Sequence, residues 1–151
     1  MRAVLQRAVE GRVRIDGEIV GELDAPGLVV LLGVTHDDGD TQVAAMVRKI
    51  TGLRVMPGEV SVADLHATDL EAGEARTRLL VVSQFTLYGD TRKGRRPSWG
   101  AAAPGDVAEP RIEDVVAGLR GTGLRVATGR FGADMAVELV NDGPFTVVVD
   151  V

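Results

Sequence analysis

MAVELVNDGPFTVVVDV, residues 135–151, reads as two apolar, β-prone runs around Asn141-Asp142-Gly143-Pro144. A hairpin turn accounts for the Asn, Asp and Gly. It accounts poorly for Pro144, which gives up a backbone donor at the mouth of a strand. The pattern predicts two strands, MAVELV and FTVVVDV, and leaves the Gly-Pro bond to be explained.

Working outward, LRVAT (124–128) is a further short strand, and TGRFGADM (128–135) is a loop with Arg130 and Phe131 between glycines. PRIEDVVAGLRG (110–121) predicts a helix that starts at Pro110, buries Ile112, Val115, Val116 and Leu119, and stops at Gly121. RLLVVSQFTL (78–87) is a strong strand, followed by a Gly/Pro/Arg loop over 88–105. Residues 53–77 are irregular, with a short strand and a long excursion. DTQVAAMVRKITG (40–52) is an amphipathic helix, and GLVVLLGV (27–34) a strand buried on both faces. Residues 2–16 alternate apolar and polar, with Arg7 the exception on the apolar face, and Asp16-Gly17-Glu18 turns them into IVGEL. The order β-β-β-α-β-β-α-β-β-β predicts one α+β domain, 1–151. Its sheet is mostly antiparallel or a partly closed barrel, under two covering helices.

The 151 residues suit one domain with a real core. Neither a basic-plus-apolar leader nor an apolar run near the ~20 residues of a membrane helix is present, so a cytoplasmic protein is expected. There is no cysteine, which excludes disulfides, thiol nucleophiles and cysteine zinc sites. The two histidines, His36 and His66, form no HExxH-like pattern and read as surface residues in polar loops. No metal or organic cofactor is expected. Net charge is -5, so a global nucleic-acid footprint is absent. The exception is local: Arg92, Lys93, Arg95 and Arg96 crowd five positions.

Three features offer chemistry. Ser83, Gln84 and Thr86 in VVSQFTLYGD are either polar residues on the open face of a strand or a nucleophile awaiting a base. The glycines of a nucleophile elbow are missing around Ser83. Gln84 suits hydrogen bonding better than proton transfer. The basic run is either a solvated loop or an arm for phosphates. Trp99, the only tryptophan, either packs or stacks on a base. Asp37 and Asp38 are adjacent and point apart, which gives no glycosidase-like pair.

VSQFTL and LVNDGPFT, in a chain of this length, together resemble the D-aminoacyl-tRNA deacylase family. AVLQRAVEGRVRIDGEIVGEL, GLVVLLGV, RRPSW and TGRFGADM extend the resemblance over nearly the whole chain. Phe145 stands where many members carry a smaller aliphatic, and Trp99 where Phe is common. The resemblance implies a compact β-rich homodimer that hydrolyses the ester joining a D-amino acid, or glycine, to the terminal adenosine of tRNA. It implies that Ser83-Gln84 and Gly143-Pro144 define the pocket, with Gly143-Pro144 cis and reaching into the other subunit. On that basis the amides around Gln84 and Phe85 hold the oxyanion and Ser83 orients the ester. Phe85 packs on adenine, and Thr86 is a nucleophile or water-orienter ranked below attack assisted by the ribose 2′-hydroxyl. Arg92, Lys93, Arg95 and Arg96 hold acceptor-end phosphates. Two other classes stay open: a non-catalytic RNA-binding module, and a Ser/Thr hydrolase of small esters or D-peptides using Thr86. Relatives fused to a threonyl-tRNA synthetase are disfavoured, since no further domain follows.

Overall fold

The computed structural model describes all of residues 1–151. Six strands and three helices follow in the order β1 (Arg2–Ile15), β2 (Glu18–Glu22), β3 (Gly27–Gly33), α1 (Asp40–Gly52), α2 (Val62–Glu71), β4 (Thr77–Ser83), a 3₁₀ turn (Phe85–Tyr88), α3 (Gly105–Gly121), β5 (Arg125–Thr128) and β6 (Ala136–Asp150).

One mixed sheet runs β2-β1-β3-β4-β5, and β6 lies along the other edge of β1. The β1 pairings are antiparallel, whereas β3–β4 and β4–β5 are parallel. Parallel neighbours need long crossovers, and helices fill them. Asp16 and Gly17 both take positive φ, as a tight β1–β2 hairpin requires.

Alternation sorts the core into two layers. Leu28, Val30, Leu32, Leu79 and Val81 meet Met46, Ile50, Val115 and Leu119 from the helices. Val29, Leu80 and Val82 point the other way and meet Ala8, Val13 and Leu23 where the sheet curls over. At the seam Gly21 of β2 has no room for a side chain, since a Cβ there would lie 2.4 Å from the Thr128 carbonyl oxygen. That close approach nearly closes the sheet into a barrel.

The helices number three, not two. α2 occupies the stretch read as irregular, and a capping box opens it. Ser61 accepts from the Asp64 amide at 3.1 Å, while Asp64 accepts from the Ser61 amide at 2.8 Å. These hydrogen bonds hold the Asp64 carboxyl below its usual range. His66 therefore lies buried on a helix rather than in a surface loop. α3 starts at Gly105, and Pro110 sits inside it. Pro104, with φ of -64°, is the N-cap and launches the helix in place of Pro110. β4 stops at Ser83, and QFTL turns away instead of extending the strand. Asn141–Pro144 is no hairpin: β6 pairs with β1 on both sides of it.

Candidate active site

The carboxyl ends of parallel strands are where sheets of this kind place ligands. Here β3 and β4 end at Gly33 and Ser83. A cavity of about 240 Å³ opens beyond them, lined by Leu32, Val34, Ser83, Gln84, Phe85 and Phe131 among others. A second hollow of about 260 Å³ lies across Ser83–Phe85 and runs to Met135 and Val137. Ser83, Gln84 and Phe85 thus form a wall shared by both.

Backbone chemistry shapes this wall. The Gln84 amide donates to the Leu32 carbonyl at 2.8 Å, closing the ladder. It is therefore not free for an oxyanion, contrary to the expectation for Gln84. Phe85 and Thr86 open a helical turn, so no acceptor within that turn meets their amides. The Gln84 side-chain amide donates to the Thr86 hydroxyl. Arg2 braces the turn from below, donating to the Leu87 carbonyl at 3.2 Å and lying 5.4 Å from the Tyr88 ring centre. Burial pushes the Tyr88 phenol up to about 12, so it stays protonated at neutral pH.

No histidine is brought to Ser83 or Thr86 as a base. His36 Nε2 meets the Gly100 carbonyl at 3.0 Å. His66 lies near Gly123, at the β5 end that pairs with Thr77, the opposite end of β4 from Ser83. A Ser/Thr hydrolase with a histidine base is not assembled.

Gly143 and Pro144 lie elsewhere. Their peptide is cis. Gln6 faces Thr146 and Ala8 faces Asn141, so Asp142–Phe145 forms a bulge opposite Arg7. Arg7 fills it. Its Nε donates to the Asp142 carbonyl at 3.2 Å and pairs with the Asp142 carboxylate at 2.8 Å. Its Nη1 donates to the Val55 carbonyl at 3.0 Å, and its guanidinium stacks 4.2 Å from the Phe145 ring centre. The arginine that spoiled the alternation of β1 is the anchor of this corner. Only that misfit betrayed it in the sequence.

Within one chain the two motifs are far apart. Arg7 is level with Leu28, and Ser83 with Leu32. The separation is roughly 13 Å along the strands and roughly 14 Å across them, at strand spacings.

The basic loop is an exposed tip on a stapled base. Asp90 and Ser98 exchange backbone hydrogen bonds at 2.8 and 3.0 Å. Thr35 Oγ1 donates to the Ala101 carbonyl at 2.6 Å. Arg92 is held by Asp90 through an ion pair at 2.7 Å, and this holds the Asp90 carboxyl down at about 2. Lys93, Arg95 and Arg96 are exposed and enter no ion pair. Trp99 leans edge-on against Phe85, ring centres 5.5 Å apart.

The chain is similar to known proteins over nearly its whole length. Residues 4–150 match the family model described as D-Tyr-tRNA(Tyr) deacylase. The chain is 59% identical to "D-aminoacyl-tRNA deacylase" of Kineococcus radiotolerans over 99% of both chains. It is 57% identical to the protein of the same name in Streptomyces coelicolor over 100% of both. Among solved structures it resembles "c-Myc DNA Unwinding Element Binding Protein" with a TM-score of 0.86 and 34% identity, covering 100% of this chain and 99% of that one. It shares the fold of "a probable eukaryotic D-amino acid tRNA deacylase" at a TM-score of 0.79 and 17% identity, over 99% and 98% of the two chains. The chain belongs to the D-Tyr-tRNA(Tyr) deacylase family.

Proposed function

We propose that this chain hydrolyses the ester joining a D-amino acid to the terminal adenosine of tRNA, as a cytoplasmic homodimer in which Gly143-Pro144 of each subunit completes the other's pocket. The observation that carries the shared pocket is the separation of the two motifs. Ser83–Phe85 and Gly143-Pro144 sit at opposite ends of β3, so no single chain can close one pocket with both. A two-fold axis brings such ends together and makes two identical sites. The outer face of the terminal strands supports it. Val148 of β6 is 61% exposed, and Val140, Phe145 and Val9 are exposed too.

Rejection of the L-form then follows from rigid backbone. Gly143 has no Cβ, and Arg7 fixes the atoms around it. Backbone atoms set against an L side chain exclude it by clash, while contact with a D side chain stays loose. This serves many D-amino acids better than a pocket tuned to one, which gains only about 1–3 kcal/mol per methylene. Glycine has no side chain to exclude, so glycyl-tRNA, including tRNA-Ala mischarged with glycine, is also a substrate.

Catalysis is modest and uses no side-chain base. Water attacks the ester carbonyl, assisted by the ribose 2′-hydroxyl. The Phe85 and Thr86 amides face the developing oxyanion, and Ser83 orients the ester. The 3′-oxygen leaves with a proton, releasing tRNA and the free amino acid. Thr86, tied to Gln84, is a positioning residue.

Parallel deacylation of D-tyrosyl-tRNA and L-tyrosyl-tRNA, by wild type and Thr86→Ala, is the test. Loss of the D-ester alone, retained in the mutant, is expected. Equal loss of both esters would end the Gly-Pro filter. The likeness to a DNA-binding protein favours one rival, nucleic-acid binding without turnover. Survival of both esters would end the deacylase reading and leave that rival standing.

A further inference from the structure

We propose that Trp99, braced on Phe85, is a stacking platform for the nucleobase that precedes the terminal adenosine. This rests on the deacylase reading of the neighbouring pocket. Phe85 lines that pocket yet is 55% exposed, and Trp99 is 41% exposed. Two large aromatic rings left in water side by side are unusual for a surface that serves nothing.

The seat of Trp99 is built. Gly89 lies beneath it, and a Cβ there would come within 2.6 Å of Trp99 Cζ3, so any larger residue would displace the indole. The Asp90–Ser98 backbone pair closes the loop one residue before it. His36 and Thr35 hold Gly100 and Ala101 just after it. The ring is fixed at 79° to Phe85. It is therefore presented by rigid neighbours rather than tucked into the core.

What lies beyond it identifies the occupant. Lys93, Arg95 and Arg96 crown the same loop with no acidic partner, on a protein of net charge -5. An aromatic face followed by unpaired cations is how single-stranded nucleic acid is held: bases stack and phosphates pair. A strand whose 3′ end enters the pocket passes Phe85, then Trp99, then the cations. The terminal adenosine belongs inside the pocket, so the base on Trp99 is the one before it.

Trp99 is the only tryptophan, so intrinsic emission reports this one ring. The trinucleotide CCA is expected to quench it, and adenosine monophosphate to leave it nearly unchanged. Equal quenching by both, or none by either, would overturn the proposal. Emission that changes on dilution without RNA would assign the ring to a subunit contact instead, and would overturn it too. Kinetics give a second readout. Trp99→Ala is expected to raise KM for D-tyrosyl-tRNA about tenfold, the scale of one lost base stack, with kcat retained. The effect on the 3′-ester of D-tyrosine with adenosine alone should be under about twofold, and Trp99→Phe should recover most of the loss. Equal losses on both substrates would show a merely structural role. If wild type hydrolyses neither ester, the deacylase reading fails, and the quenching experiment still judges the platform.

Discussion

The Ser83–Tyr88 turn and the Asp142–Phe145 corner are held by opposite means. The turn is set by main-chain bonds: Gln84 closes the β3–β4 ladder, and no acceptor within the turn meets the next two amides. The corner is set by one side chain. Arg7 reaches a carbonyl, a carboxylate, a second loop and an aromatic face from a single guanidinium, which lysine could not match. A site that must stabilise charge needs donors fixed without a titrating group. A site that must exclude a shape needs atoms that do not yield. The comparison predicts that chemistry and selection fail separately.

The sharpest way to break it is to separate the subunits. Val148→Asp places a charge on the exposed outer face of β6 while Val149 stays in the core. We expect monomers by sedimentation, since a desolvated charge at an interface costs several kcal/mol, with an intact fold by circular dichroism and loss of discrimination between the D- and L-esters. A monomer with full activity and full selectivity would refute a pocket shared between chains.

Arg7→Ala comes next. It removes charge-assisted hydrogen bonds of about 1.5–3 kcal/mol each from a side chain only 11% exposed. The folded state should lose about 2–3 kcal/mol in urea unfolding, discounted because Asp142 is partly solvated. The ratio of D- to L-ester hydrolysis should fall by more than the D rate itself. A mutant that loses both in proportion would mean the corner serves catalysis as well as selection.

These two regions also differed in how far they could be read in advance. β3 was legible as a short, wholly apolar run over residues 27–33, and α1 because its apolar residues repeat at the helix period over 40–52. QFTL is β-prone, and nothing local says that the ladder ends at Leu32 or that Arg2 grips Leu87. α2 did leave a mark, Ser61 with Asp64 three residues on, overshadowed by the glycines and proline around it. Asn141–Pro144 imitates a hairpin because Asn, Asp and Gly favour turns. Whether such a segment reverses the chain or bulges from it is decided by the strand opposite, here Arg7, 135 residues away from Asp142. The VSQFTL and NDGP motifs were visible, but their places at opposite ends of one strand depend on the register of four strands.

Smaller effects concern the loop that brings RNA to the turn. Arg95→Ala removes an unpaired cation, so KM for D-tyrosyl-tRNA should rise with kcat unchanged. The slope of log affinity against log salt should become shallower by about 0.7–0.9. A collapse of kcat at saturating tRNA would instead tie this arginine to the reacting end.

The smallest effect runs the other way. Asp90 engages Arg92 with its side chain, and its carboxyl sits at about 2, below the ordinary 3.8, chiefly through that hydrogen bond. A depressed carboxyl adds stability only above its unfolded pKa and loses it as pH falls toward 2, so the pair is intact at neutral pH. It is also exposed, and exposed pairs contribute little. Asp90→Asn should therefore leave thermal stability nearly unchanged at pH 7. It should release Arg92 to act as the fourth free cation of the loop. KM for tRNA should then fall slightly, and the salt slope should steepen by at most about 0.7–0.9, the share of one added phosphate contact. An unchanged slope would mean that Arg92 points away from the RNA, leaving Lys93, Arg95 and Arg96 as the whole arm.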